Sequence, residues 1–328
     1  MSPSAKTQQC TVSGFTFVKN ATKLHYPIKA AIMSVLPIVD EFIVALGDCD
    51  EDDTTRAEIL SIESDKIRII NTVWDKQKFT RGTIHAQQTD VAKSICKGDW
   101  LLYVQADEVI HEKDHLTIKS ACQTFITDLK IDGFALDFIH FWGDYEHYVN
   151  GHGWYKSEVR IIRNDAEIHS WKSAQSFRRI PNFDGIDYRQ TKGVTKLNVV
   201  KLKAQVFHYG YVRPPSIMIS KKKSLDTTHQ GPIRANSNRG NLTLEFDYGP
   251  MSLTKKFSFS HPAVMHDWIL KLDWQKKLRF IGKLPKNRAR FKHETIKYRA
   301  LTYIETNVLG GRGLWARKNF NIIKEWKI

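Results

Sequence analysis

Two adjacent carboxylates, Asp107 and Glu108, close an aromatic and apolar run, Trp100-Leu101-Leu102-Tyr103-Val104-Gln105-Ala106. A buried strand that delivers charge at its carboxyl end is how open α/β sheets build ligand sites, because the crevice lies just beyond those ends. Carboxylate oxygens there suit a hard divalent cation, Mn2+ or Mg2+, and such a cation suits a diphosphate. A polar exit from strand to loop is the plainer use of the same pair. Context favours the first use, because a second strand-and-acid unit lies upstream.

That unit is Glu41-Phe42-Ile43-Val44-Ala45-Leu46, a short apolar run that empties into Gly47-Asp48-Cys49-Asp50-Glu51-Asp52-Asp53-Thr54-Thr55. The turn is too acidic to be buried without partners. Residues 11–18 are β-rich, and residues 26–36 carry Ile28, Ala31, Ile32 and Val35 at helical spacing. Residues 56–62 read as a short helix and residues 66–70 as a third strand. Strands alternating with helical patterns predict an α/β fold with a doubly wound, mostly parallel sheet.

These segments resemble the family 2 glycosyltransferases of the GT-A fold, a Rossmann-like mixed sheet flanked by helices. Phe17-Val18-Lys19-Asn20-Ala21 is similar to the family's opening strand and its Asn, and Met33-Ser34-Val35-Leu36-Pro37 to the helix segment that follows. The acidic turn from Leu46 to Thr54 looks like the family's nucleotide turn, and Gln105-Ala106-Asp107 falls where its Asp-X-Asp metal motif lies. The likeness runs through roughly the first two-thirds of the chain. It implies a metal-dependent, inverting transferase resembling those that build bacterial cell envelopes. Such an enzyme moves a sugar from a nucleotide-sugar donor, a UDP-sugar by default, to a hydroxyl of a glycan or lipid-linked acceptor. Mn2+ or Mg2+ neutralises the charge on the departing diphosphate. The metal ligands are then Asp107 and Glu108, with His208 as the late His that GT-A enzymes return to the metal. The nucleotide and donor fall to Phe17, Lys19, Asn20, Asp48, Asp52, Arg81, Gln105 and Arg213. Gly210 permits close backbone approach beside His208, and Arg213 offers a bidentate fork to a diphosphate.

The departures are equally specific. Gly47 stands where the family places the first Asp of its nucleotide turn, and Gln105 where it places the first acid of its metal motif. Related enzymes of lipopolysaccharide cores follow an Arg-Leu-Phe-Arg strand with a His-Glu pair whose carboxylate serves as base. Here the corresponding stretch is Ile168-His169-Ser170-Trp171, with a serine in place of the acid. Glu158 is the leading substitute, with Asp144 and His169 behind it. Glu158 and Arg160 lie two apart and share one face of a strand, so an ion pair is the competing use of that glutamate.

A chain of 328 residues exceeds one average domain and can bury a sizeable core. The four cysteines, Cys10, Cys49, Cys96 and Cys122, are dispersed and read as free thiols of a reducing compartment. No apolar signal core opens the chain and no run approaches a membrane span, which predicts a cytoplasmic protein, with peripheral contact at the inner face of a membrane as a further expectation. Gly, Pro and Asn interrupt residues 227–241, predicting a GT-A domain over residues 1–230 and a basic, aromatic-rich C-terminal extension over residues 231–328. Lys276, Lys277, Arg279, Lys283, Lys286, Arg288, Arg290 and Lys292 alternate there with Trp268, Trp274, Phe280 and Phe291. That pattern suits an anionic acceptor or membrane face. The net charge of +15 also admits nucleic-acid binding. The acidic turn and Asp107-Glu108 would repel a phosphate chain, and no nucleic-acid motif is present. Nucleotidyl transfer on the same nucleotide-binding fold is the other alternative. It lacks the Gly-rich, basic loop after the first strand.

Overall fold

The computed structural model describes residues 9–230, 245–286, 288–310 and 319–326. Four strands, β1 (Val12–Val18), β2 (Glu41–Leu46), β3 (Ile67–Asn71) and β4 (Trp100–Tyr103), lie parallel in the order β3-β2-β1-β4. The helices α1 (Ile28–Val35), α2 (Thr55–Leu60) and α3 (Thr83–Lys93) fall between them in sequence. In β1, β2 and β4 almost every residue is buried, as a strand covered on both faces requires. Alternate residues feed two cores. Phe42, Val44 and Leu102 meet Ile28, Ile32 and Val35 of α1 on one face, and Phe15, Ile43 and Leu101 meet Ala92 and Phe177 on the other.

The sheet then turns mixed. After β5 (Glu108–Ile110) and α4 (His115–Thr124) come β6 (Gly133–Trp142), β7 (His147–Val149) and β8 (Ser157–Arg163). Strand β8 runs antiparallel between β4 and β6. A separate three-stranded sheet joins β9 (Ile168–Trp171), β10 (Ser176–Arg179) and β11 (Thr195–Lys196). The long β12 (Asn198–Tyr211) pairs parallel with β6 and antiparallel with β5. Its register against β6 slips between His208 and Tyr211, an irregularity that re-aims the side chains at its end. The expected mixed α/β sheet with flanking helices is therefore the observed one, parallel through its first four strands and again where β12 meets β6.

Helix α5 (Pro215–Gln230) follows β12 and runs through the start of the predicted break at residues 227–241, of which 231–241 lie outside the described residues. Beyond it, β13 (Lys255–Lys256) pairs with β7, and β14 (Asn321–Trp326) lies parallel to β12. Between these strands, α6 (His266–Leu270) is shorter than the aromatic spacing through Trp274 suggested, and Trp274 instead donates its Nε1–H to the Gly143 carbonyl at 2.8 Å. In α7 (Ile296–Asn307), the Thr302 hydroxyl accepts the His152 N–H at 2.8 Å. The described residues of 245–326 are thus sewn to β6, β7, β12 and the loop before β8. No helix among the described residues is long and apolar enough to cross a membrane.

Candidate functional site

The carboxyl ends of β1, β4, β6 and β12, the segment after β3 and the loop that enters β8 surround a cavity of about 680 Å³, and α5 lies across it. Along the sheet edge the lining runs from Trp74, Phe17, Lys19 and Asn20, through Gln105, Asp107 and His208, to His140, Trp154, Tyr155 and Tyr211.

Asp107 is at its centre because the β5–β12 ladder sets Glu108 opposite His208, and the Tyr209 N–H bonds the Asp107 carbonyl at 2.8 Å. Its buried carboxylate meets Lys221 Nζ at 3.1 Å, His208 Nε2 at 3.8 Å and Arg213 Nη2 at 3.9 Å. Burial alone would raise its pKa, but surrounding positive charge, led by Lys221, holds it well below the usual carboxylate range. Burial and then Arg213 lower the Lys221 ammonium to about 8, although Asp107 opposes them.

The protonation of His208 follows from its partners. His140 Nε2 lies 2.8 Å from the Tyr155 carbonyl and must carry a proton to bond it. Burial pushes both histidines far below neutrality, His140 to about 4 and His208 to about 3, so each ring is neutral. His140 Nδ1 therefore accepts, and the proton of the 2.9 Å contact between the two Nδ1 atoms belongs to His208. His208 Nε2 is left with a lone pair facing the Asp107 carboxylate. Two acceptors set face to face call for a cation between them. Gly210 makes the arrangement possible, since a Cβ at that position would stand 2.5 Å from His208 Nε2 and 3.1 Å from Asp107 Oδ2.

Glu108 does not join them. It is fully buried and turned to Arg160, whose Nε and Nη2 donate to its two oxygens at 2.7 Å each. The side chain one position along the chain thus braces the sheet. Among the described residues no cluster of three or more His, Cys, Asp or Glu forms a metal cage. Asp107 and His208 are the two side chains here that could hold a divalent cation, one carboxylate and one imidazole, if a diphosphate and water completed its shell. Of the neighbouring cations, Arg213 is fully buried behind the cavity and does not line it: Nη1 donates to the Leu24 carbonyl at 2.7 Å, the guanidinium lies over the Tyr26 ring at 4.5 Å, and Nη2 faces Asp107.

At the opposite side from Trp154, Phe17 and His85 stack at 5.6 Å and Trp74 leans on both. Gly47 now has a physical reason: a Cβ there would meet Trp74 Nε1 at 2.5 Å. Asp48 does not line the cavity but pairs with Lys19 at 2.7 Å and accepts the Trp74 N–H at 2.9 Å. Asp52 pairs with Lys23, and Arg81 is exposed outside the cavity.

None of the three expected bases lines the cavity. Glu158 is enclosed, accepting from Gln175 Nε2 and Asn319 Nδ2 at 2.9 Å each, and its expected partner Arg160 is given to Glu108. Asp144 shapes the turn after β6 by accepting from the Glu146 and His147 N–H groups. His169 bonds Asp90 beside another surface hollow. The carboxylates that do line the cavity beside Asp107 are Asp50, which is paired with Lys23, and Asp226 of α5. Ser173, Ala174 and Gln175, from the turn between β9 and β10, also reach it. Sequence reading passed over α5 and this turn because neither carries a motif.

No protein-family model matches the chain, and no curated protein matches it. Among solved structures it is similar in part to glucosyl-3-phosphoglycerate synthase from Mycobacterium tuberculosis in complex with Mn2+, UDP and phosphoglyceric acid, at 15% identity and a TM-score of 0.27, over 40% of this chain and 43% of that one. It is also similar to S. aureus TarS 1-349, at 22% identity and a TM-score of 0.30, over 47% of each chain. A further S. aureus TarS structure aligns over 71% of this chain and 41% of its own, at 15% identity and a TM-score of 0.34. The chain spans less than half the length of each of these structures.

Proposed function

We propose that the chain transfers a sugar from a nucleoside diphosphate sugar, UDP-linked by default, to an acceptor hydroxyl. The observation that carries this reading is the lone pair of His208 Nε2, fixed by His140 and facing Asp107 at the carboxyl edge of a parallel sheet. In the proposal Asp107 and His208 hold Mn2+ or Mg2+. The bound ion supplies Lewis acidity toward a departing diphosphate. Lys221 adds a donor to the phosphate oxygens, with Arg213 reinforcing the positive charge from behind, and Phe17, Trp74 and His85 offer faces on which a nucleobase stacks.

The chain's own residues do the rest. Helix α5 covers the cavity and keeps water from the reacting carbon. Asp226, the lining carboxylate that neither the cation centre nor Lys23 occupies, takes the acceptor's proton. Its charge is felt both at Tyr211 and at His229, so it stands along α5 between the two aromatic ends of the cavity. Cytoplasmic residence and contact with a membrane surface belong to the same proposal, as does a basic extension that contributes attraction for the acceptor's surroundings. Incubating the full chain with UDP-glucose, UDP-galactose and UDP-N-acetylglucosamine, with Mn2+ or EDTA, tests it. Metal-dependent release of UDP from at least one donor, abolished in Asp107→Asn, is expected. Release that ignores both EDTA and the substitution would defeat the assignment.

A further inference from the structure

The cavity's far end is built from rings. Trp154 and Tyr211 meet edge to face at 5.7 Å, and Phe291 closes on Tyr211 at 5.6 Å. Behind them Trp142 is fully buried, stacks on Tyr211 at 4.6 Å and anchors itself by donating Nε1–H to the Tyr248 carbonyl at 2.9 Å. The wall is held rigidly. Gly153, at φ +89°, turns the chain into Trp154, and its carbonyl accepts from Lys292 Nζ at 2.9 Å. The buried Arg288–Glu294 pair, at 2.7 Å, fixes the segment that carries Phe291. Within this wall the Trp154 Nε1–H is buried and has no partner among the described residues.

We infer that this end binds a pyranose ring of an uncharged saccharide, the acceptor of the transferase proposed above, on which the inference rests. A pyranose presents an apolar C–H face and a rim of oxygens. Rings meet the face by dispersion, and an indole N–H meets the rim, so one side chain supplies both. The unpartnered donor is then the mark of a missing acceptor atom. A phosphorylated acceptor finds no cation of the described extension in the lining; the lysines there, Lys19, Lys76, Lys221 and Lys222, come from β1, the segment after β3 and α5. Lys276, Lys277, Lys283, Lys286 and Arg290 are exposed and none lines the cavity, while Lys292 and Arg288 are committed to Gly153 and Glu294. The extension therefore meets the cavity with an aromatic side chain, Phe291, and keeps its charge outside.

Saturation-transfer NMR on the full chain, with UDP and Mg2+ present, tests this directly. The probes are methyl glucopyranoside, methyl galactopyranoside and methyl N-acetylglucosaminide, set against glycerol 3-phosphate. Saturation at the ring C–H protons of at least one pyranoside is expected. In Trp154→Ala that signal should fall at least about tenfold, the effect of one ring contact and one hydrogen bond lost together. Trp154→Phe, which keeps a ring and removes the donor, should retain part of it. The UDP signal should be alike in all three proteins, which shows that they are folded. Saturation of glycerol 3-phosphate without any pyranoside, or a pyranoside signal indifferent to Trp154→Ala, would overturn the inference while leaving the transferase reading in place. A wild-type chain that gives no UDP signal would overturn both.

Discussion

At the scale of single residues, the account turns on where one proton sits. His140 bonds the Tyr155 carbonyl through Nε2 and so obliges His208 to present its own Nε2 as a base. His140→Ala leaves the Lys221 and Arg213 contacts of Asp107 intact yet frees the His208 ring, and Mn2+ affinity should fall about 10- to 100-fold, as it does when an orienting partner of a metal ligand is lost. Titration of Mn2+ by its paramagnetic signal reads this; an unchanged affinity would remove the relay from the account. Glu108→Gln should act in the other direction. It leaves Arg160 without its buried partner, at a cost of about 3–5 kcal/mol to stability in urea denaturation, with the metal affinity of the folded protein retained. A stable variant that no longer binds metal would show Glu108 to be a ligand after all. Sequence made Asp107, His208 and Gly210 legible, because strand ends, residue type and a neighbouring glycine are local signals. It could not separate Asp107 from Glu108, since the partner that claims Glu108 lies on β8, or find His140, which meets His208 only through the register of β6 against β12.

At the scale of elements, α5 is the piece that residue patterns did not show. Its sequence lacks a continuous apolar stripe because the face it turns to the cavity carries Lys221, Lys222, Ser224, Asp226 and Thr228, so the usual 3.6-residue signal is diluted. What docks it is Lys221, which bonds the Gly210 carbonyl at 2.7 Å and Asp107 at 3.1 Å. The Lys221 ammonium and a bound metal therefore answer the same buried carboxylate. Lys221→Met should lower stability by about 3–5 kcal/mol. Mn2+ should then raise the variant's melting temperature by more than the wild type's, since the ion replaces a charge the wild type already has. Equal shifts would mean that Lys221 and the metal act independently. Asp226, further along the same helix, carries a separate expectation: Asp226→Asn should leave UDP binding unchanged and slow transfer about 100-fold or more. Steady-state rates at saturating donor measure it, and a variant of normal rate would return the search for the base to the turn between β9 and β10.

For the whole molecule, the histidines set the response to acid. Burial pushes His85 and His208 to about 3, and His25, His140, His261 and His293 to about 4. Between those values and the ordinary 6.5 the unfolded chain takes up protons that the folded chain refuses. Stability must then rise with pH through that window, by up to about 1.4 kcal/mol per pH unit for each imidazole, and the gain is complete above it. Glu58, Asp114 and Glu158, raised by burial, pull the other way just above their usual range. Urea midpoints should fall between pH 7 and pH 5 and rise only gently just above pH 7, where the folded chain's Lys221, lowered to about 8, begins to lose its proton; a midpoint that holds steady down to pH 5 would contradict the neutral-histidine interior on which His208's role depends. The fold around that interior was legible where strands and helices alternate, up to β4. The extension was legible only as composition, because its role is set by distant contacts such as Lys292 with Gly153 and Thr302 with His152. Whether Asp107 holds a metal that in turn holds a diphosphate is decided by calorimetric titration of UDP into the full chain, with Mn2+ and with EDTA, for the wild type and Asp107→Asn. The wild type should bind UDP with Mn2+ and lose at least about tenfold in affinity with EDTA, and Asp107→Asn should show the weaker affinity in both buffers. UDP bound equally well with and without metal in both proteins, or not bound at all, would contradict that role of Asp107.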